Sequence, residues 1–228
     1  MLGAVLAQSG KNYEAVNANQ TAVVLSPQDA EDHYNLGNML QELRRLDESI
    51  EYLKKVIELN PDFVNGRISL NAVSSSVVPG WHIPMMNYKV RNNAYFDAIK
   101  LAVDDGAFVL DIGTGSGLLS LMAAASGAGK VIACETSRTI AEVAKQIIYS
   151  NGFGEKTSVL NKKSTDLIVG EDLPQRADLI ISEVLSAEFL GEGLRTTALD
   201  ARKRLLKPGG TIIPQSEKIR ISLIGDSP

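Results

Sequence analysis

Val109-Leu110-Asp111-Ile112-Gly113-Thr114-Gly115-Ser116-Gly117 decides how the rest of this 228-residue chain is read. An apolar run of strand length carries a carboxylate near its end and then three glycines at alternate positions. That is the pattern of a buried strand turning sharply into a helix. Glycine at 113, 115 and 117 removes side chains where the chain bends and where a ligand must approach the backbone. A dinucleotide-binding turn would place glycines at 113, 115 and 118, but position 118 is Leu. Asp111, directly before the turn, would also repel a pyrophosphate. It suits a ligand without phosphate, such as one bearing an ammonium group.

The pattern continues downstream as apolar strands alternating with amphipathic helices. Strands are expected at Phe108–Ile112, Val131–Cys134, Ser158–Asn161, Leu179–Ser182 and Thr211–Ile213, with helices at Gly117–Ser126, Thr139–Ser150 and Leu194–Leu206. Lys207-Pro208-Gly209-Gly210 reads as a turn before the last strand. Such alternation specifies an α/β fold with a mostly parallel, doubly wound sheet covered on both faces. Ligands in these sheets bind beyond the carboxyl ends of the strands. Glu135, at the end of the second strand, is placed to accept hydrogen bonds from both hydroxyls of a ribose.

Upstream the period changes. Leu2, Gly3, Leu6, Ala15, Ala22 and Pro27 recur 34 positions later as Leu36, Gly37, Leu40, Ser49, Val56 and Pro61. A period of 34 with small residues where paired helices touch is that of tetratricopeptide repeats, and His33 to Pro61 resembles one closely. Gly37 lets one helix approach the next, Leu53 and Val56 fill the contact, and Asn60-Pro61 stops the second helix. The first copy lacks the opening residues of its first helix. Residues 1–66 are therefore expected as repeats, and Arg67 to Pro79, with Ser74-Ser75-Ser76, as a linker.

Composition narrows the function classes. With 44% hydrophobic and 22% charged residues the chain is an ordinary globular one of one or two domains, at roughly 150 residues each. No apolar run reaches the ~18 to 20 residues that span a bilayer, so no membrane association is expected. The single Cys134 excludes an internal disulfide and a multi-cysteine metal site, and no metal is expected. Residues 1–66 hold 5 of the 23 basic and 10 of the 27 acidic side chains, a net of −5, which leaves +1 for the rest. Neither part is a basic nucleic-acid footprint. The expected compartment is the cytoplasm, with the nucleus also open.

Asp111, the three glycines, Glu135 and the Lys207-Pro208-Gly209-Gly210 turn together resemble the cofactor site of class I S-adenosyl-L-methionine-dependent methyltransferases. Residues 80–214 are the expected cofactor-binding domain. Trp81-His82-Ile83-Pro84-Met85-Met86 followed by Arg91 narrows this to a resemblance to protein arginine N-methyltransferases, in the branch bearing tetratricopeptide repeats. The family spaces His, Met and Arg as His82, Met85 and Arg91 are spaced here. The resemblance implies that Arg91 pairs with the carboxylate of the methionine moiety and that His82 and Met85 line the cofactor. It also puts Thr165 where an acid often meets the adenine amino group. Thr165 lacks that charge, so its backbone, Ser164 or Asp166 would have to serve.

The family's double-glutamate loop has two carboxylates nine apart, as Glu183 and Glu192 are. Arginine is protonated at any physiological pH, so its nitrogen lone pairs are delocalised. A carboxylate on either side would neutralise and orient the guanidinium, and burying it without partners would be costly. Glu183 and Glu192 are accordingly the candidate catalytic pair, with Glu188 in the same loop expected to be structural. Family members continue into a β-barrel with a Thr-His-Trp loop. Residues 215–228, including Ile219 to Ile224, look like its start, so the chain reads as a fragment expected to bind cofactor but to transfer little methyl by itself. The implied partners are an arginine-containing protein substrate and a protein bound by the repeats. Two other readings remain open: a methyltransferase for a small molecule or another residue, and a non-catalytic binding module with a degenerate enzyme domain.

Overall fold

Phe108, Val109, Leu110, Asp111 and Ile112 are all buried, which a strand achieves only when both faces of its sheet are covered. The computed structural model describes Leu6 and residues 9–77, 82–184 and 194–216. The chain divides into two compact units, Met1–Tyr88 and Lys89–Pro228.

The first unit is helical: α1 (Asn12–Leu25), α2 (Ala30–Glu42), α3 (Leu46–Leu59), α4 (Val64–Val77) and the short α5 (His82–Met86). Asp29 caps α2 by accepting from the Glu31 N–H. A Cβ at Gly37 would lie 2.8 Å from Leu53 Cγ, so only glycine lets α2 approach α3 this closely. Ser49 uses the same proximity, donating its hydroxyl to the Gly37 carbonyl at 2.7 Å. Of residues 67–79, the stretch 67–77 is not the linker that the serines indicate, and 78–79 lie outside the described residues. Residues 67–77 belong to α4, whose Val73 is buried with Ile50 and Leu53 of α3. The Ser75 and Ser76 hydroxyls bond back to the carbonyls of Asn71 and Ala72, which keeps them compatible with a helix.

In the second unit, α6 (Lys89–Ala102) precedes β1 (Phe108–Ile112), α7 (Leu118–Ala125), β2 (Lys130–Cys134), α8 (Arg138–Ser150), β3 (Thr157–Leu160), β4 (Ala177–Ser182), α9 (Leu194–Arg204) and β5 (Leu206–Ile213). The strands are parallel in the order β3-β2-β1-β4-β5. Alternation within β1 serves two faces. Phe108, Leu110 and Ile112 pack with Leu167, Ala201 and Leu205, while Val109 packs with Ile99 of α6 and Leu119 and Ala123 of α7. The strand order reverses between β1 and β4, so their carboxyl ends, Ile112 and Ser182, flank the switch-point crevice where such sheets bind ligands.

Lys207-Pro208-Gly209-Gly210 is not a turn before the fifth strand but a bulge inside it. Ala177 pairs with Leu206 and Leu179 with Thr211, so the four residues loop out of register. Lys207 returns to Asp178 at 2.7 Å. Of residues 215–228, read as the start of a barrel, 217–228 lie outside the described residues.

Candidate active site

The crevice is built on the glycine turn. Gly113, Gly115 and Gly117 have φ of 72°, 54° and 87°, the left-handed region that side-chain-bearing residues avoid. Space is short as well: a Cβ at Gly113 would lie 2.5 Å from Val184, and one at Gly117 3.1 Å from Ile148. The Gly113 and Thr114 N–H groups both donate to the Cys134 carbonyl, which ties the turn to the end of β2.

Asp111 is fully buried. Its Oδ2 accepts from the hydroxyls of Thr114 and Ser120, each at 2.6 Å, so the carboxylate holds the turn to the first turn of α7. Oδ1 has no partner among the described residues. Burial pushes the carboxyl up to about 6, the two hydroxyls offset part of that, and the charge of Glu135 adds to it. An orphaned, buried acceptor of this kind is costly unless a donor completes it.

Glu135 is half-buried and spans the mouth. Its Oε2 accepts from the Gly115 N–H at 3.1 Å and its Oε1 from the Ser137 N–H at 3.0 Å. Oε1 also accepts from the Thr136 hydroxyl at 3.2 Å, so it is Oε2 that keeps the lone-pair capacity a diol requires. Asn161, just past β3, donates to the carbonyls of Glu135 and Thr136 at 2.9 Å, which fixes the ends of β2 and β3 against each other.

Across the crevice, Arg91 of α6 meets Glu183, the residue after β4, at 2.7 Å, and both side chains are 17% exposed. The guanidinium also donates to Asn92 and lies 5.1 Å from the centre of the Tyr95 ring. Tyr95 in turn donates its hydroxyl to the Ser182 carbonyl at 3.3 Å. Arg91, the residue expected to take the cofactor's carboxylate, and Glu183, the residue expected to take the substrate's guanidinium, are thus joined to each other.

The remaining sequence-derived residues fall differently. His82 and Met85 lie in α5, in the first unit, whereas Arg91 lies in the second. Glu192 and Glu188 lie outside the described residues. Thr165 sits in a single 3-10 turn, Ser164–Asp166, after β3, and its hydroxyl donates to Asp166. Cys134 is buried, its thiol pushed up to about 12 by burial, and so is inert. Among the described residues, no group of three or more His, Cys, Asp or Glu could hold a metal ion, and no helix is long and apolar enough to cross a membrane.

Sequence reading missed Thr114 and Ser120, three and nine residues after Asp111, and Tyr95, one helical turn after Arg91. Their spacing made the last legible. Arg204 ion-pairs with Asp200 and donates to three backbone carbonyls after β3, and nothing local in the sequence announces that.

The ribosomal protein L11 methyltransferase (PrmA) model matches residues 95–215, and the tetratricopeptide repeat model matches 30–63. An arginine N(omega)-methyltransferase of Streptomyces achromogenes is 40% identical over 64% of this chain and 41% of its own length. Protein arginine N-methyltransferase 9 of Xenopus laevis is 34% identical over 92% of this chain and 27% of its own length. Among solved structures, the Trypanosoma brucei PRMT1 enzyme–prozyme heterotetramer with AdoHcy aligns with a TM-score of 0.55 at 33% identity, covering 61% of this chain and 43% of that one. The chain spans less than half the length of each of these three.

Proposed function

The chain belongs to the methyltransferase family of the PrmA model and, within it, to the tetratricopeptide-bearing protein arginine N-methyltransferases; from that premise we propose that it methylates a guanidino nitrogen of protein arginine. S-adenosyl-L-methionine is the cofactor and supplies an electrophilic methyl group on its sulfonium. The residues present fit it. The glycine turn clears backbone for it, Asp111 offers an orphaned Oδ1 to an ammonium, and Glu135 offers acceptors to a ribose. His82 and Met85 are proposed as further lining. Thr165 and its neighbours are proposed to meet the adenine edge.

One observation carries the choice of substrate: Glu183, at the mouth beside Gly113, already holds a guanidinium, that of Arg91. Its position, hydrogen-bond geometry and shielding from water are those a substrate arginine needs. In this reading Arg91 turns to the cofactor's carboxylate and Glu183 to the substrate, with Glu192 as the second carboxylate. The two acids neutralise and orient the guanidinium. The bound cofactor would supply the methyl group to that nitrogen, and the proton the nitrogen gives up would pass to Glu183, Glu192 or solvent. Positioning and charge supply the catalysis, with no covalent enzyme intermediate.

The test is calorimetric titration of the S-adenosylhomocysteine-loaded chain with an arginine peptide and with its lysine counterpart. Glu183→Gln is expected to weaken arginine-peptide binding by about 100-fold, since it leaves a buried cation without its partner. Equal binding of the lysine peptide, or an unchanged Glu183→Gln, would overturn the reading. A second reading, with free arginine as acceptor, is favoured by the 40%-identical relative whose name specifies arginine without protein. Binding of L-arginine in preference to the peptide selects it. The repeats are proposed to recruit a protein partner, as the tetratricopeptide match supports.

A further inference from the structure

Arg204, the last residue of α9, makes five hydrogen bonds with one guanidinium. Its Nη1 donates to the Leu167 carbonyl at 2.8 Å, and its Nη2 to the carbonyls of Thr165 at 3.0 Å and Ser164 at 3.2 Å. Nε and Nη2 also donate to the two carboxylate oxygens of Asp200 at 2.6 and 2.5 Å, one helical turn earlier. Those three carbonyls belong to the 3-10 turn at the carboxyl end of β3 and the residue after it. The side chain is about one-third exposed and its partner one-quarter, so the cluster is neither a surface ion pair nor part of the apolar core.

The same segment is anchored at its other end. Asn161 ties the end of β3 to the carbonyls of Glu135 and Thr136, and Glu135 is the ribose acceptor in the reading above. The chain from Asn161 to Leu167 therefore runs from the sugar site to Thr165 with both ends held. A nucleoside whose ribose lies on Glu135 presents its base to this stretch. Peptide planes that read a base edge must be fixed in orientation, because a hydrogen bond weakens steeply with misalignment. Three carbonyls drawn toward α9 fix those planes.

We infer that Arg204 is a positioning residue for the adenine end of the cofactor, acting through the backbone of residues 164–167 and itself held by Asp200. It touches no part of the cofactor. Its planar fork is what matters: Nε and Nη1 each serve one acceptor and the two N–H groups of Nη2 are shared among three, a spread over two carboxylate oxygens and three carbonyls that an ammonium with three donors cannot match. The inference rests on the proposed placement of Thr165 and its neighbours at the adenine edge.

The test titrates the full 228-residue chain with S-adenosylhomocysteine and with its inosine analogue, in which oxygen replaces the 6-amino group. The wild type should prefer the adenine compound. Arg204→Ala should weaken S-adenosylhomocysteine about tenfold and change the inosine analogue less than twofold, so that the preference collapses. Arg204→Lys, which keeps the charge and the fold but not the fork, should lose most of the same preference, and the exposed Lys203→Ala none. A role confined to stability would lower both ligands equally or neither. That result in Arg204→Lys, or a wild type that binds both compounds equally, overturns the inference. Should Arg204→Ala not fold, Arg204→Lys and Asp200→Asn decide it. Absence of any S-adenosylhomocysteine binding by the wild type would instead sink the cofactor site itself.

Discussion

The two units bury different kinds of polar group. In the helical unit the buried polar residues among those described are His33 and Ser49: Ser49 closes on a carbonyl next to a packed leucine, and His33 meets the Pro27 carbonyl through Nε2 while its Nδ1 has no partner among the described residues. In the sheet unit they are Asp111, Thr114, Ser120, Thr157 and Ser164, and three of these form one cluster under the glycine turn. The repeats spend their interior on contact between neighbouring helices. The sheet places a carboxylate in its interior, under the glycine turn and at a cost to its own stability, and leaves one of its oxygens to be satisfied. Preorganisation for a ligand and optimal packing are different uses of buried volume, and this chain contains one unit of each kind.

The largest expected effect lies in the packed unit. Leu53→Ala should lower its unfolding free energy by about 3 kcal/mol in urea denaturation, since Leu53 is completely buried and fills the gap at Gly37. A loss below about 1 kcal/mol would show that the repeat interior is not close-packed, and the contrast between the units would fail.

Asp111 tests the other side. It binds its proton more tightly folded than unfolded, so its contribution favours the fold below the ordinary aspartate value of 3.8 and is lost as pH rises through about 6. The full difference is about 3 kcal/mol or less. Asp111→Asn should therefore match the wild type near pH 4 and exceed it in thermal stability near pH 8. Saturating S-adenosylhomocysteine should shrink that gap by satisfying Oδ1. A wild-type pH profile that Asp111→Asn leaves unchanged would remove the idea of a stability cost at the site.

Two glycines sharpen the comparison at nearly equal backbone angles. Gly113 has φ of 72° with Val184 within 2.5 Å of an added Cβ, whereas Gly10 has φ of 75° with nothing within 4 Å. Gly113→Ala should cost about 3 kcal/mol, combining a left-handed backbone with a clash, and should weaken S-adenosylhomocysteine binding. Gly10→Ala should cost about 1 kcal/mol, the backbone contribution alone. Equal losses in chemical denaturation would mean that the crowding at Gly113 is relieved by a small shift of Val184.

Much of the fold could be read directly. β1 falls on Phe108–Ile112 as expected, because a fully apolar run before a glycine turn has few other uses. The repeat showed itself through Gly37, whose partner Leu53 lies only 16 positions on in the adjacent helix. Failures came where distant contacts overrule local composition. Three serines looked like a linker, yet burial of Val73 against α3 makes them helical. Lys207-Pro208-Gly209-Gly210 looked like a turn, yet pairing of Leu206 with Ala177 makes it a bulge.

At the site the division is similar. Asp111, Glu135, Arg91 and Glu183 could be named because strand ends and motif spacing fix which residues reach the crevice. Their partners could not. That Thr114 and Ser120 share one oxygen of Asp111, that Arg91 meets Glu183 in this structure, and that Arg204 grips the turn after β3 all follow from the superposition of separate chain segments.

The sequence by itself determined the repeat, the parallel sheet, the glycine turn and the chemical character of the pocket. Each of these is encoded in period, spacing or residue type within a few tens of positions. Only the tertiary structure decided which carboxylate is buried and half-satisfied, which guanidinium holds Glu183, and which cation fixes the segment after β3. Burial and hydrogen bonding depend on distances between residues far apart in the chain, and those distances exist only once the sheet and its helices have packed.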